Sequence, residues 1–158
     1  MNDMDRITLQ HYQPHYLEEL KSFELPKNQE QFTAMPSDIL HVKPGQHPIV
    51  ILNENHVVGF FLLHNSERVK EYSSNSQAML LTALSINHRE QGKAYALKGM
   101  NALRSFVTEE FPQCNEIVLA VNYKNVAAQK LYAKVGFIDT GRRKTGLIGE
   151  QYIMSLSL

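Results

Sequence analysis

A lone glycine separates an apolar run from a helical pattern, within the segment R-E-Q-G-K-A at residues 89–94. Gly92 has no Cβ, so the backbone at this position can approach a ligand closely. The first amides of the following helix have no partners inside the helix, and the helix dipole favours an anion at that end. A diphosphate is therefore a natural occupant of the space before residues 92–95, and Arg89 and Lys93 could add positive charge close by. The alternative is a simple turn glycine between two solvated bases.

A second candidate feature is an asparagine and a tyrosine on one face of a later helix. Asn125 and Tyr132 are seven residues apart, which places them within roughly 20° of each other around a helix. Ala128 lies between them and leaves a shallow strip for an extended ligand. A tyrosine phenol, whose pKa is about 10, can protonate a departing thiolate near neutral pH. Alternatively, Tyr132 is a core aromatic and Asn125 caps the helix.

Both features need strands and helices to position them. Apolar runs predict strands at residues 78–86 and 117–121, and helical spacing predicts helices at 92–110 and 124–135. Gly136 has the position of a helix C-terminal cap. Each candidate feature therefore lies where a helix follows a buried strand.

The rest of the chain predicts more strands and helices around this framework. They are a short strand at Ile7 and Leu9, a helix at 15–23, short helical turns at 28–40, a hairpin of 48–52 and 57–63, a loop at 64–77, and two final strands at 137–140 and 152–156 across a glycine-rich segment at 141–149. The resulting order, β-α-α-β-β-β-α-β-α-β-β, indicates an α/β fold with a mixed sheet covered by helices.

Two motifs resemble those of one family, the GNAT superfamily of N-acetyltransferases. R-E-Q-G-K-A resembles its R/Q-x-x-G-x-G/A signature, with alanine in the last place. N-x-x-N-x-x-A-x-x-L-Y-x-K-x-G-F, which begins at Asn122, resembles the family's second block. The resemblance is specific over residues 81–137 and implies a single GNAT-like domain over residues 1–158. It implies a mixed central sheet of about seven strands flanked by helices, with splayed central parallel strands that hold acyl-CoA in the gap.

The same resemblance implies a binding site and a reaction. The acyl-CoA-binding residues would be Leu84 and Ile86 along the pantetheine arm, then Arg89, Gln91, Gly92, Lys93, Ala94 and Tyr95 around the diphosphate, with Asn122 and Asn125 on the other side. Tyr132 would be the catalytic acid that protonates the departing sulfur. The enzyme would move an acetyl group from acetyl-CoA to a primary amine, which attacks the thioester directly while a backbone amide binds the oxyanion.

The group that removes a proton from the amine stays open. Many relatives carry a glutamate base on the strand at residues 79–86, but this chain has no carboxylate there. Thr82 or Ser85 can hold a water for this purpose, and the other candidates are loop carboxylates, namely Glu24, Glu30 and Glu71.

The identity of the acceptor also stays open. Carboxylates at Glu24, Glu30, Asp38, Glu67 and Glu71 suit a cationic small amine or polyamine, although interleaved bases favour ordinary solvated charges. A protein N-terminus is the competing acceptor, because the second block resembles that of ribosomal-protein acetyltransferases equally well. A non-catalytic acyl-CoA-binding module is the alternative from another class.

Composition narrows the class of protein further. Hydrophobic residues make up 43% and charged residues 20% of the 158 residues, a globular balance. Sixteen basic and sixteen acidic residues cancel, so no net field favours nucleic acid or an anionic membrane. Cys114 is the only cysteine, and no metal motif occurs. We expect a soluble cytoplasmic domain without metal, a monomer or homodimer whose partners are acetyl-CoA and an amine.

Overall fold

The computed structural model describes residues 6–24, 43–88 and 94–158. Seven strands of these residues form one sheet, and they are β1 (Ile7–His11), β2 (Gln46–Asn53), β3 (His56–His64), β4 (Ala78–Ile86), β5 (Glu116–Asn122), β6 (Ile138–Gly146) and β7 (Gly149–Ser157). Their order across the sheet is β1-β2-β3-β4-β5-β7-β6. Neighbouring strands are antiparallel except β4 and β5, which are parallel. The predicted mixed sheet of seven strands is confirmed.

Four α-helices of the described residues accompany the sheet. They are α1 (Leu17–Lys21), α2 (Tyr95–Asn101), α3 (Leu103–Glu110) and α4 (Val126–Val135). A 3-10 turn, Pro14–Tyr16, precedes α1, so the helix predicted at 15–23 is shorter and begins in a tighter geometry. The single helix predicted up to residue 110 is divided at Ala102, whose amide bonds back to the carbonyls of both Lys98 and Gly99. Within the described residues, no helix is long and apolar enough to cross a membrane.

The two faces of the sheet carry separate apolar clusters. Helices α2, α3 and α4 cover one face, where Phe61 and Leu63 of β3 belong to the main core. On the opposite face, hereafter the α1 face, Phe60 and Leu62 pack in the cluster that contains Tyr16 of the turn before α1. Because β3 is buried on both faces, its sequence is an almost unbroken apolar run rather than an alternating one.

The parallel strands β4 and β5 are paired over only three residues of each. The last pair joins Leu80 to Val118. Beyond it β4 continues along β3 to Ile86, and β5 continues along β7 to Asn122. A gap therefore opens between two strands that remain held on their outer sides, and the predicted splay is confirmed.

The C-terminal hairpin is longer than the sequence analysis predicted. The glycine-rich segment at 141–149 was expected to separate two short strands, but β6 and β7 extend through most of it and leave only Leu147 and Ile148 between them. Gly149 adopts a left-handed conformation with φ of 115° at this turn. The charged residues of this segment lie on an exposed edge strand, where outward charges are common. The loop predicted at 64–77 contains a 3-10 turn at Glu67–Glu71. The turns predicted at 28–40 lie outside the described residues.

Candidate active site

A bulge in β4 lies beside the gap between β4 and β5. Leu62 is paired with Thr82 and Phe60 with Ser85, so Phe61 faces two residues of β4 instead of one. Ala83 has a φ of 61° at this point, in the left-handed region. That conformation costs an L-residue about 1–2 kcal/mol. A bulge also bends a strand and increases its twist, and here it does so just after β4 separates from β5.

The predicted pantetheine residues lie in the open part of β4. Leu84 is half-buried within the bulge, and Ile86 is buried opposite Gly59 at the end of the strand. Both side chains pack with the main core. Within the described residues, the β4 edge that faces β5 has no strand partner beyond Leu80. An extended ligand can therefore pair with this edge as another strand would.

Most of the predicted diphosphate cradle lies outside the described residues. This applies to Arg89, Gln91, Gly92 and Lys93, and only the last two members of the cradle, Ala94 and Tyr95, are described. Ala94 is left-handed, with φ of 60°, and its side chain does not cap α2. The Tyr95 ring is buried, and its hydroxyl accepts a hydrogen bond of 2.8 Å from Asn53 Nδ2. That bond ties the start of α2 to the end of β2.

The two predicted asparagines shape the turn between β5 and α4. Asn122 Oδ1 accepts from the Lys124 amide at 2.8 Å, and its Nδ2 donates to the Ile148 carbonyl at 3.3 Å. Asn125 Oδ1 accepts from the Ala128 amide at 3.2 Å, so Asn125 is the N-cap of α4. The helix cap proposed as the alternative for Asn125 is therefore confirmed. Its Nδ2 donates to none of the described residues, and contact with the ligand stays a prediction.

Tyr132 lies on α4 within the main core. Its ring meets that of Phe137 edge-on, with 5.5 Å between the centroids, and 8% of the residue is exposed. Burial raises the pKa of the Tyr132 phenol above its ordinary value. The phenol is therefore protonated at neutral pH, as a general acid must be. Tyr132 is a core aromatic, and its proton-donor role stays a prediction.

Sequence reasoning overlooked one buried histidine next to the gap. His64 is the last residue of β3, fully buried, and its Nε2 lies 2.7 Å from Thr82 Oγ1. Burial lowers the pKa of His64 to about 4, and the charges of Arg68 and His47 act in the same direction. His64 had been assigned to the start of a polar loop. The available signal was its position directly after the apolar run of β3.

The loop carboxylates considered as bases differ in their surroundings. Glu71 forms an ion pair with Lys144, with 3.1 Å between Oε1 and Nζ. Glu24 lies beside the end of β4, where its amide donates to Asn87 Oδ1 and its carbonyl accepts from the His88 amide. Glu30 lies outside the described residues.

Comparison with known proteins identifies the class to which this fold and cleft belong. The model of the family described as "Acetyltransferase (GNAT) family" matches residues 9–137. The chain belongs to this family. It is an acetyltransferase, and acetyl-CoA is its acyl donor.

A particular relative comes from Bacillus subtilis (strain 168) and is named "Uncharacterized N-acetyltransferase YbbJ". It is 45% identical over 152 residues, which are 94% of this chain and 95% of that protein. The name of this relative gives a class of reaction but no amine acceptor.

Two solved structures share the fold at low sequence identity. Aminoglycoside acetyltransferase AAC(6')-Ib in complex with coenzyme A and kanamycin has a TM-score of 0.77 at 17% identity, over 96% of this chain and 95% of that one. The uncharacterized protein bh2621 from Bacillus halodurans has a TM-score of 0.79 at 12% identity, over 97% of this chain and 84% of that one. These similarities establish the architecture.

Proposed function

We propose that this protein moves the acetyl group of acetyl-CoA to a primary amine, which attacks the thioester directly. The observation that carries the proposal is the separation of β4 from β5 after Leu80, together with the bulge at Ala83. The gap presents the edges of two strands to one extended ligand. The pantetheine arm of acetyl-CoA has amide groups that can pair with such an edge.

The residues around the gap have complementary roles in this reaction. Leu84 and Ile86 line the pantetheine arm, and the backbone of residues 91–95 binds the diphosphate. The amine nitrogen attacks the carbonyl carbon, and a backbone amide of β4 stabilises the oxyanion that forms. The carbon–sulfur bond then breaks, the Tyr132 hydroxyl gives its proton to the sulfur, and the proton that the amine nitrogen loses as it becomes the amide restores the phenol. The phenol is neutral at neutral pH, so it holds a proton for the departing sulfur, while burial raises its pKa and makes it a weaker acid than a free tyrosine.

A small amine with several positive charges is the acceptor that we favour. AAC(6')-Ib, which shares the fold, has been solved with the aminoglycoside kanamycin. Polyamines and aminoglycosides both present primary amines on a cationic scaffold. The Glu24 backbone is bonded to Asn87 and His88 beside the end of β4, and Glu71 pairs with Lys144. A protein N-terminus is the competing acceptor.

An assay of CoA thiol release tests the function directly. Purified protein and acetyl-CoA are mixed with spermidine, with kanamycin, or with a short peptide that has a free α-amino group. Faster thiol release with spermidine or kanamycin than with the peptide is the expected result. A faster rate with the peptide would replace the small-amine acceptor by a protein N-terminus. Tight acetyl-CoA binding by calorimetry with no turnover of any amine would make the chain a non-catalytic acyl-CoA-binding module.

A further inference from the structure

Thr82 occupies a distinctive position on β4. It lies two residues beyond Leu80, the last residue of β4 that pairs with β5, and directly before the left-handed Ala83. Its partner on β3 is Leu62, so its side chain lies on the α1 face, away from α2, α3 and α4. The residue is half-buried, unlike the fully buried Leu80. Thr82 is therefore a polar side chain at the point where the gap opens.

The His64 ring fixes the orientation of the Thr82 hydroxyl. The 2.7 Å contact between Nε2 and Oγ1 joins β3 to β4 across one face of the sheet. In the described part of the chain, three buried side-chain atoms have no hydrogen-bond partner, namely Asn53 Oδ1, His64 Nδ1 and Ser85 Oγ. The atoms of His64 and Ser85 both lie on the α1 face and flank the bulge. Unpaired buried polar atoms are costly, and packing alone gives no reason to retain them here.

We propose that Thr82 binds the attacking amine through Oγ1 and that His64 is the positioning residue that holds this hydroxyl at the gap. The inference rests on the acetyl transfer proposed above and adds residues that contact and orient the acceptor. β4 has no carboxylate that could bind the amine and take its proton. A threonine hydroxyl can still bind the amine, since its oxygen accepts a hydrogen bond without taking the proton.

Hydrogen-bond capacity supports this arrangement. A threonine hydroxyl has one donor and two lone pairs. If His64 donates to Oγ1, one lone pair remains for the amine, and if His64 accepts, two remain. In either tautomer of His64, an N–H of the amine can donate to Thr82 Oγ1. The lone pair of the amine nitrogen is then free to attack the thioester.

The charge state of His64 is consistent with this role. Its pKa of about 4 keeps the ring neutral at neutral pH. The neutral His64 ring therefore places no positive charge next to the Thr82 hydroxyl, which binds a cationic substrate. Because the ring stays neutral, it serves to orient Thr82 rather than to store the proton that the amine loses.

Paired substitutions test the inference in the full-length protein. Thr82→Val removes the hydroxyl and keeps the branched shape, and Thr82→Ser keeps the hydroxyl. His64→Phe keeps a planar ring and removes both nitrogens. Thr8→Val on the exposed edge strand β1 and His56→Gln at the exposed start of β3 are matched controls. The amine is the member of the three-amine panel with the highest kcat/KM for the wild type, and calorimetry measures the affinity for CoA.

The expected result is a loss of about tenfold in kcat/KM for the amine in Thr82→Val and in His64→Phe, the size expected for one hydrogen bond. Thr82→Ser should stay within about threefold of the wild type. The double variant should lose little more than Thr82→Val alone, because His64 has no hydroxyl left to orient once Thr82 is replaced by valine. CoA affinity and the controls should be unchanged.

A kcat/KM near the wild-type value in Thr82→Val would overturn the inference, and so would losses in the double variant that multiply. Equal loss in Thr82→Ser and Thr82→Val, accompanied by weaker CoA binding, would show a purely structural role. Absence of turnover in the wild type would instead contradict the proposed function. NMR then decides the hydrogen bond itself, since Thr82→Val must shift the His64 ring nitrogen signals and unchanged signals would exclude it.

Discussion

Where β4 and β5 are still paired, both carboxylate oxygens of Glu116 accept hydrogen bonds, from Ser73, Asn75 and Ser155. His64 Nδ1, opposite the last paired residue Leu80, and Ser85 Oγ, beyond the point of separation, are buried atoms with no partner among the described residues. At the closed end of the gap, where β4 and β5 are paired, the Glu116 carboxylate is therefore fully hydrogen-bonded and its role is structural. The open end retains unsatisfied groups and a strained Ala83, which proteins tolerate mainly where a ligand or a reaction uses them.

The largest expected effect belongs to Tyr132, the proton donor of the proposed reaction. Tyr132→Phe preserves the ring that packs against Phe137 and removes only the proton donor. We expect kcat to fall by roughly 10²- to 10⁴-fold with CoA affinity unchanged. Thiol release and calorimetry provide the two measurements, and Tyr16→Phe, a buried tyrosine on the α1 face, is the control. A wild-type kcat, with chemistry shown to be rate-limiting, would make water the donor.

His64 makes the open end sensitive to acid. Its pKa falls from 6.5 in the unfolded chain to about 4 in the fold, so the unfolded state binds more protons between these values. Stability is therefore complete above pH 6.5 and decreases as the pH falls towards 4, by about 2 to 3 kcal/mol at pH 4.5. Urea unfolding at pH 7 and pH 4.5 measures the difference. His64→Phe should lose this part of the pH dependence, and an identical profile in the variant would contradict the assignment.

The diphosphate cradle should respond to a Cβ at Gly92. Gly92→Val places side-chain bulk where the phosphates approach, because only glycine exposes the backbone fully. We expect CoA affinity to fall roughly 10- to 100-fold, as when one or two hydrogen bonds to a charged group are lost. Calorimetry on the folded variant measures the loss, and circular dichroism shows that the fold is retained. Unchanged affinity would place the diphosphate elsewhere.

Glu116 at the closed end should affect stability alone. Hydrogen bonds from Ser155, Asn75 and Ser73 outweigh burial and lower the pKa of this carboxyl, so its contribution is present above its unfolded pKa and is lost as the pH falls through the folded value. Glu116→Gln should cost about 1–2 kcal/mol in urea unfolding at pH 7, while kcat and KM stay unchanged. Glu109→Gln on the exposed side of α3 is the control. A fall in kcat at full stability would remove the contrast between the two ends.

Much of the framework could be predicted because its signals are local. The apolar run of β4 gave both strand ends, and Gly136 ended α4 in the left-handed conformation expected of a C-terminal cap. The bulge could not be predicted, since an alanine at φ of 61° is imposed by the pairing with β3 and has no signature in the sequence. His64 was missed because a polar residue after an apolar run looks like the start of a loop. Its surroundings come from residues distant in sequence, since its strand partner Leu80 packs with Val69 of the 3-10 turn and its ring contacts Thr82.

The three residue pairs between β4 and β5 have a further consequence, because among the described strands they are the only pairing between β1–β4 and the group β5, β7 and β6. The sheet consists of two half-sheets joined by a short seam. A ligand that pairs with both inner edges would lengthen that seam and act as an eighth strand. At a concentration of 100 times its dissociation constant, a ligand adds about 2.7 kcal/mol to the free energy of unfolding. If acetyl-CoA pairs in this way, it helps to hold the two halves together, and the free energy of unfolding of this protein rises and falls with the supply of its own substrate.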